Sequence, residues 1–438
     1  MTAGGDSKPL IGVVGLWHLG CTIAACWAEL GHVVRGVDRD EVVVGGLRDG
    51  RPPLFEPGLA EAIRTGLDCD RLSFSTAVET LAGCRFVFVA HDTPVRDDDT
   101  SDLSVIEETM ARMAPHVSPG TIVVVSAQLP AGTARVFRSR LKQIHESLEL
   151  VYSPENLRLG EALACYRRPG HIVIGADSES AAVGVEKLFA PMAAACLRMS
   201  LPSAEMAKHA INTYLAASIT LANQWADLCA AVGADFSDVA AAMRQDPRIG
   251  PRAYLASGIG FSGGTLGRDL QTLDRLNREQ AGGRAPLFGE IWRYNKARAQ
   301  VVALRCEQAL GSLPGNVIAL LGMTYKPGTS TLRRSLSLEV AEDLANRGAV
   351  LRAFDPKADW TRARVPSGLT VCDSPYEAAR GADLLAVLTE WPDFLTLDFG
   401  RIKSAMARPV LFDTKDMLKA RHGELERLGF QVLAIGRA

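Results

Sequence analysis

A chain of 438 residues exceeds the size at which a single hydrophobic core keeps growing, so we expect two or three domains. Its formal net charge of −2 provides no global basic field, which disfavours nucleic acid and anionic membranes as partners. Nine scattered cysteines without a C-x-x-C pair favour reduced thiols over disulfides or a metal site. The absence of a signal-peptide pattern and of a membrane-length apolar run predicts a cytoplasmic protein.

The first predicted unit is a strand at residues 10–14, a glycine-containing turn, a helix and a strand at 33–37 that ends at Asp38. Such a unit binds a dinucleotide when glycines let the pyrophosphate approach a helix N-terminus and an acidic residue binds the ribose. The alternative is a turn whose glycines only allow tight helix packing. Asp38 favours NAD over NADP, because a carboxylate repels a 2′-phosphate, although Arg39 leaves NADP as an alternative. The candidate cofactor residues here are Gly15, Trp17, His18, Leu19, Gly20, Asp38 and Arg39.

Trp17 stands where the dinucleotide fingerprint has its middle glycine. That glycine normally leaves room for the pyrophosphate. A bulky side chain at this position therefore predicts a cofactor that binds more weakly or in a displaced position.

Three later strands are each followed by a polar residue. Thr93 follows the strand at 85–90, Gln128 follows the strand at 121–125, and Glu155 follows the strand at 150–152. Open α/β sheets bind ligands at the carboxyl ends of their strands, so Thr93 and Gln128 are candidate cofactor contacts. Glu155 is a candidate acid, base or orienting carboxylate. The alternatives are a capping threonine in a turn and a first-turn glutamate that the helix dipole favours.

The pattern becomes helical from Ser203 and stays so for a long stretch. Lys208 and Asn212 are four residues apart and therefore lie on one face of this helix. A lone lysine on a helix is more often solvated than functional. The apolar part of the stretch is where we expect the core of a dimer.

A glycine-rich stretch, residues 258–270, carries five glycines with polar side chains among them. Glycines permit positive φ and let a ligand approach the main chain. We predict that a helix begins at Asp269. The alternative interpretation is a flexible surface loop with an N-capping aspartate.

A further α/β unit is predicted from a strand at 317–322, followed by strands at 350–354, 383–388 and 410–412. The turn after its first strand carries Lys326, Arg333 and Arg334. Such cations favour phosphate, whereas the alternative for the two adjacent arginines is a solvated face.

The glycine-rich stretch resembles the catalytic loop of the UDP-glucose/GDP-mannose 6-dehydrogenase family, in which Gly-Phe-Gly-Gly-Ser leads into Cys-Phe-Pro-Lys-Asp. Phe261, Gly263 and Asp269 match this pattern. Three positions depart from it, because Thr265 replaces the catalytic cysteine, Gly267 the proline and Arg268 the lysine. Similar matches occur in order from about Leu10 to near the C-terminus. They include Leu54–Leu59, which resembles Tyr-Glu-Pro-Gly-Leu, and residues 322–335, where Ser330, Thr331 and Arg334 replace acidic residues.

The resemblance implies an α/β fold with two Rossmann-like doubly wound parallel-sheet domains joined by a long central helical segment. We expect an NAD-binding domain at 1–200, a helical dimerisation and catalytic segment at 201–300, and a nucleotide-sugar-binding domain at 301–438. The implied catalytic residues are Lys208, Asn212, Asp269, Glu155 and Thr265. The implied substrate-binding residues are Glu155, Leu157, Arg158, Lys208, Tyr254, Gly260, Phe261, Gly263, Arg268, Lys326 and Arg333.

The resemblance also implies oxidation of a UDP- or GDP-sugar hydroxyl, and the loss of the cysteine leaves three hypotheses. The first is a single two-electron oxidation to a carbonyl, useful in antibiotic sugar biosynthesis and conceivable on a lincosamide-like octose. The second is a four-electron oxidation to the uronic acid without a cysteine nucleophile. The third is a non-catalytic sugar-nucleotide binding protein, which Trp17 and Thr265 together suggest.

Overall fold

The computed structural model of the chain describes residues 8–91, 93, 102–155, 157–284 and 286–437. The chain forms two compact units, Met1–Ala210 and Ile211–Ala438, each built on its own sheet. We call them the first and the second unit. The division into three domains at 1–200, 201–300 and 301–438 stays a prediction.

The sheet of the first unit has eight strands. They are β1 (Ile11–Val14), β2 (Val34–Val37), β3 (Leu72–Ser75), β4 (Phe86–Val89), β5 (Ile122–Val125), β6 (Glu149–Tyr152), β7 (Ile172–Ala176) and β8 (Cys196–Met199). Their spatial order is β3-β2-β1-β4-β5-β6-β7-β8. The pairs are parallel except that β6 and β7 are antiparallel. Strands β1, β4 and β5 are buried apolar runs, as expected of a parallel sheet that helices cover on both faces.

Most strands of the first unit are connected by helices, with two helices between β2 and β3 and a short 3₁₀ turn between β3 and β4. The helices are α1 (His18–Glu29), α2 (Glu41–Arg48), α3 (Leu59–Asp68), α4 (Ser104–Met113), α5 (Thr133–Ile144), α6 (Ala162–Arg167) and α7 (Glu179–Phe189), and α8 (Leu201–Val232) begins in this unit and continues into the second. The strand order reverses between β1 and β4. Ligands bind in the crevice outside the carboxyl ends of the strands at such a switch point.

The second unit begins with helices and continues as an α/β sheet. Its helices are α9 (Phe236–Gln245), α10 (Thr265–Gln280), α11 (Leu287–Leu310), α12 (Leu336–Asn346), α13 (Pro375–Ala378), α14 (Phe399–Ala405) and α15 (His422–Arg427). Its strands are β9 (Val317–Leu321), β10 (Val350–Phe354), β11 (Leu369–Val371), β12 (Leu384–Val387), β13 (Val410–Asp413) and β14 (Gln431–Ala434). They are parallel in the order β11-β10-β9-β12-β13-β14, which repeats the order of the first six strands of the chain. The predicted fold class, two Rossmann-like sheets joined by a long helix, is confirmed.

Each sheet lies between hydrophobic clusters on its two faces. In the first unit Trp27 and Phe88 pack on one face and Phe137 and Tyr152 on the other. Within the described ranges, no helix combines the length and the apolarity that a bilayer crossing needs.

Candidate active site

The turn between β1 and α1 requires glycine at both of its ends. Gly15 has φ 91°, and a Cβ on it would lie 2.7 Å from the ring of His91. A Cβ on Gly20 would lie 1.8 Å from the carbonyl oxygen of Gly15. The turn is therefore tight and leads directly into the N-terminus of α1, which is the arrangement that receives a pyrophosphate.

Asp38 lies at the end of β2, where the dinucleotide fingerprint places its acidic residue. Its Oδ2 accepts a hydrogen bond from the Leu16 amide at 2.6 Å, and its Oδ1 accepts one from the Asp40 amide at 3.0 Å. A carboxylate has further lone pairs for ribose hydroxyls. A surface pocket adjoins Asp38 and is also lined by Val14, Val37 and Arg39. The tight glycine turn, the carboxylate and this pocket together fit NAD.

The side chains next to the glycine turn lie in different environments. Trp17 is the N-cap of α1, and its side chain is 36% exposed, so it borders the turn without filling the core. Leu19 is buried in the hydrophobic cluster and supports the turn from within. His18 Nε2 lies 2.7 Å from Glu56 Oε2. Arg39 forms a solvent-exposed ion pair with Glu108 at 3.5 Å.

The structure brings Thr93 and Gln128 together. The Thr93 hydroxyl donates to the Gln128 carbonyl at 3.0 Å, and Thr93 is buried. His91, which the sequence analysis did not single out, ends β4 beside Gly15, and its Nε2 lies 2.8 Å from the Thr109 hydroxyl. Burial lowers the pKa of His91. The rule that ligands bind at strand ends would have identified this histidine.

Lys208 and Glu155 also lie in contact. Lys208 Nζ donates to the backbone carbonyl of Glu155 at 2.6 Å, and Lys208 is only 9% exposed. One carboxylate oxygen of Glu155 accepts from the Leu157 amide. Arg158 is an exposed residue that pairs with Glu161 at 3.4 Å. A buried lysine ammonium is uncommon, so its position here favours a functional role over a solvated one.

In the second unit, Asn212 and Asp269 form a buried pair. Asn212 Nδ2 donates to Asp269 Oδ2 at 2.6 Å, and the two residues are 6% and 0% exposed. Arg268 Nε lies 3.7 Å from Asp269 Oδ1. The amide donor and the nearby guanidinium both favour the charged carboxylate and hold it in place inside the protein.

The prediction that a helix begins at Asp269 is wrong. Helix α10 begins at Thr265, with Gly264 as its N-cap, so Asp269 lies in the second turn. Thr265 occupies the first helical position and is exposed. The backbone amides of the first turn are therefore next to Thr265, and they favour negative charge there.

Three side chains hold the glycine-rich stretch from outside it. Asn295 Oδ1 accepts from the Phe261 amide at 2.8 Å, and its Nδ2 donates to the Phe261 carbonyl at 2.9 Å. Gly258 donates to Asn223 Oδ1 at 2.8 Å and accepts from Arg298 Nη2 at 2.8 Å. Gly260, at φ 102°, leaves no room for a side chain, because a Cβ would lie 2.5 Å from Asn295 Oδ1. The stretch is thus a fixed loop.

Arg334 borders this loop, whereas Arg333 is exposed. The Gly263 amide donates to the Arg334 carbonyl at 2.9 Å, and Arg334 has φ 55°. Its Nη1 would lie 3.7 Å from a Cβ on Gly264. Strained backbone of this kind concentrates at functional sites. Arg334 was expected from the sequence to favour phosphate through its charge, and its place beside the glycine-rich loop appears only in the structure.

Two further predicted substrate residues lie at the surface of the second unit. Lys326 Nζ lies 5.8 Å from the ring centroid of Tyr325. Tyr254 is 51% exposed, and partial burial and the charge of Glu390 raise the pKa of its phenol. Tyr254 is thus accessible at the surface, whereas Lys326 is half-buried.

One cluster of the second unit has the composition of a metal site. Asp413, Asp416 and His422 place ligand atoms within 4.8 Å of one another. Arg437 already lies among them, with Nη1 2.8 Å from His422 Nδ1 and Nη2 3.6 Å from Asp416 Oδ1. The guanidinium thus supplies the positive charge that the acidic groups require.

Comparisons with known proteins match the whole length of the chain. Residues 9–193 match the NAD-binding domain of the UDP-glucose/GDP-mannose dehydrogenase family, residues 202–297 its central domain and residues 319–420 its UDP-binding domain. UDP-glucose 6-dehydrogenase of Pseudomonas aeruginosa is 34% identical and aligns over 97% of both chains. UDP-glucose 6-dehydrogenase of Rhizobium meliloti is 32% identical, over 98% of this chain and 99% of the relative.

Solved structures agree with the sequence relatives. A UDP-glucose dehydrogenase from Pyrobaculum islandicum superposes with a TM-score of 0.87 at 30% identity, over 100% of both chains. A UDP-D-ManNAc dehydrogenase from Pyrococcus horikoshii superposes with a TM-score of 0.86 at 25% identity, over 98% of this chain and 99% of the other. The chain therefore belongs to the UDP-glucose/GDP-mannose dehydrogenase family, and it is an NAD-dependent nucleotide-sugar dehydrogenase that acts on a CH–OH group.

Proposed function

We propose that the chain performs a single two-electron oxidation of a C6-type hydroxyl of a nucleotide sugar and releases a carbonyl product. The observation that carries the proposal is Thr265, an exposed threonine at the first position of α10, where the family resemblance places the catalytic cysteine. An aldehyde cannot lose a second hydride until a nucleophile adds to it, and a thiolate is suited to that addition. A threonine hydroxyl is far less acidic.

The cysteines of the chain support this reading. All nine lie among the described residues as free thiols, and none belongs to the stretch 258–270. Cys306 is fully buried, and burial raises the pKa of its thiol to about 12. Such a thiol is inert.

The roles of the polar residues follow from their contacts. Bound NAD supplies the hydride acceptor, so the C–H electron pair leaves as hydride while the O–H proton must be accepted by the protein or a water. We assign the role of proton acceptor, directly or through a water, to Asp269, to which Asn212 donates a hydrogen bond. Lys208, held by the Glu155 carbonyl, stabilises the developing alkoxide, and the Thr265 hydroxyl hydrogen-bonds the sugar.

The nucleotide end of the substrate is assigned to the cations of the second unit. Lys326, Arg333 and Arg268 are the proposed phosphate contacts, and Arg334 adds a fourth cation. The matched UDP-binding domain and the UDP-sugar relatives favour UDP, with GDP as the alternative base.

Further assignments extend the same proposal. An apolar, exposed face of α8, with Tyr214 at 74%, Leu228 at 55% and Val232 at 79% exposed, supports a homodimer. Free thiols throughout support a cytoplasmic location, and the near-neutral net charge supports partners other than nucleic acid. A carbonyl product suits a pathway that later transaminates the sugar, as in antibiotic biosynthesis. A secondary alcohol, as in a lincosamide-like octose, would make a second oxidation impossible.

The test is the yield of NADH per limiting sugar nucleotide, measured at 340 nm with mass spectrometry of the product over a panel of UDP- and GDP-sugars. We expect one NADH and a loss of two hydrogens. Thr265→Cys should raise the yield to two on a primary alcohol, whereas Thr265→Ser should leave it at one. Two NADH and a carboxylate from the unmodified chain would establish the four-electron reaction instead. Binding of a sugar nucleotide without any binding of NADH would establish a non-catalytic protein.

A further inference from the structure

A buried glutamate connects the cofactor turn of the first unit to the segment that carries the candidate substrate residues. Glu56 Oε2 lies 2.7 Å from His18 Nε2 and accepts from the Gly160 amide at 2.8 Å. Glu56 Oε1 accepts from the Ala162 amide at 2.8 Å. The Glu56 side chain is 1% exposed and the His18 side chain 14%. A carboxylate buried this deeply keeps its position only while its hydrogen bonds are made.

The His18 end of this link lies at the cofactor turn. His18 is the first residue of α1, directly after the turn that receives a pyrophosphate at a helix N-terminus. A carboxylate accepts only, so the hydrogen of the His18–Glu56 bond is on His18 Nε2. The ring of His18 therefore contacts Glu56 at the place where the cofactor arrives.

The other end lies at the segment 157–162. Glu56 satisfies the amides of Gly160 and Ala162 at the start of α6. The same segment begins beside Glu155, which accepts from the Leu157 amide and, through its backbone carbonyl, from Lys208 Nζ at 2.6 Å. A continuous set of contacts thus runs from the cofactor turn to Lys208 inside one compact unit.

We propose that Glu56 is a positioning residue which, through His18, couples occupancy of the cofactor turn to the ordering of the segment 157–162 and so to Lys208. Binding of NAD or NADH at the turn immobilises His18, and Glu56 transmits this order to the Gly160 and Ala162 amides. A ligand that orders a segment lowers the cost for a second ligand that needs the same order. Because such coupling is reciprocal, the sugar nucleotide must also tighten the cofactor. This second consequence rests on the function proposed above for Glu155, Arg158 and Lys208.

The first experiment uses NADH alone and reads amide hydrogen exchange in the peptide that covers residues 157–167. We expect NADH to slow exchange there by about fivefold or more in the unmodified chain. His18→Phe, which cannot donate to Glu56, should bind NADH without this protection. His18→Gln should restore it, because its terminal amide can donate at the place of Nε2. Protection in His18→Phe equal to that of the unmodified chain would overturn the proposal, and so would an absence of protection in the unmodified chain.

The second experiment measures the NADH dissociation constant by fluorescence, with and without saturating UDP-glucose or GDP-mannose. For the unmodified chain we expect the NADH dissociation constant without the sugar nucleotide to exceed the constant with it by a ratio of about five or more. For His18→Phe and Glu56→Gln we expect this ratio to be near one. Glu61→Gln, on the exposed face of α3, is the matched control and should keep the ratio. A purely structural Glu56 would change stability and leave the ratio in His18→Phe intact. Neither readout needs turnover, so an error in the proposed reaction leaves both interpretable.

Discussion

The ring of Trp292 occupies the space that a side chain at Gly267 would need. A Cβ on Gly267 would lie 2.5 Å from the Trp292 ring, and Gly267 is buried in the first turn of α10. The family resemblance places a proline here, and its ring would meet the indole. The absence of a side chain at Gly267 therefore lets the Trp292 ring pack directly against α10.

Replacing Gly267 by alanine should destabilise the chain, because the indole must move away from the new methyl group. We expect a loss of about 1–3 kcal/mol, the usual cost of overpacking, measured as a lower unfolding midpoint in urea. Gly45→Ala is the matched control, since Gly45 lies in α2 with open space where its Cβ would be. Its free energy of unfolding should rise by about 0.5–1 kcal/mol. Equal midpoints for the two variants would contradict this account.

Asn212 should be needed for the chemical step. Asn212→Ala removes the amide that donates to the fully buried Asp269 carboxylate, and we expect kcat to fall about 100-fold or more. In Asn212→Asp kcat should fall further, because two carboxylates would then face each other. Asn346→Ala, at the exposed end of α12, should keep kcat. An unchanged kcat in Asn212→Ala would remove Asp269 from the proposed mechanism.

Arg334 should contribute to substrate affinity through its charge. Arg334→Glu places a carboxylate beside the N-terminus of α10, and we expect kcat/KM to fall about tenfold or more. Arg334→Met keeps an unbranched side chain and adds no negative charge, so kcat/KM should fall less in this variant. The comparison with Arg333→Glu, at an exposed position, tells the two adjacent arginines apart. A larger loss in Arg333→Glu would assign the phosphate to that residue instead.

Asp38 should determine cofactor affinity and choice. Asp38→Asn weakens the acceptor for the ribose hydroxyls, and hydrogen bonds to a charged group contribute about 1.5–3 kcal/mol, so the NADH dissociation constant should rise about tenfold or more. The preference for NADH over NADPH should also shrink, since the carboxylate that repels a 2′-phosphate is gone. Fluorescence titration measures both. Asp49→Asn, an exposed carboxylate after α2, should change neither constant.

His91 should make the first unit sensitive to acid. Burial lowers the pKa of His91 from its ordinary value of 6.5, so the unfolded chain binds a proton before the folded chain does. The contribution of neutral His91 to the stability of the fold is complete above pH 6.5. It is lost as the pH falls from 6.5 towards the pKa of His91 in the folded chain. His91→Gln should therefore show a smaller drop in melting temperature between pH 7 and pH 5. The exposed His116 gives the control, and His116→Gln should follow the unmodified chain.

The sequence predicted those features that local patterns determine. The glycine turn, the strand that ends at Asp38 and the second α/β unit each follow from the pattern of residue types in a short stretch. The fold class was correct for this reason. The helical period also placed Lys208 and Asn212 on one face of α8.

The contacts that fix the candidate site could not be read in this way. Asn223, Asn295 and Arg298 bind backbone groups of the glycine-rich loop from 34 to 40 positions away in the sequence. Each is a single polar residue on an otherwise ordinary helix, and only the tertiary packing shows that it is buried. The start of α10 at Thr265 was missed because aspartate is a common N-cap residue, whereas the N-cap in the structure is Gly264, which makes no side-chain hydrogen bond.

The replacement of sulfur by oxygen at position 265 also alters how the enzyme withstands chemical damage. A dehydrogenase that relies on a thiolate is inactivated when an alkylating agent or peroxide modifies that sulfur. The stretch 258–270 contains neither cysteine nor methionine, and burial raises the pKa of the thiols of Cys26, Cys84 and Cys306. The loop therefore offers no sulfur atom to these reagents, and we expect the activity proposed above to withstand both of them.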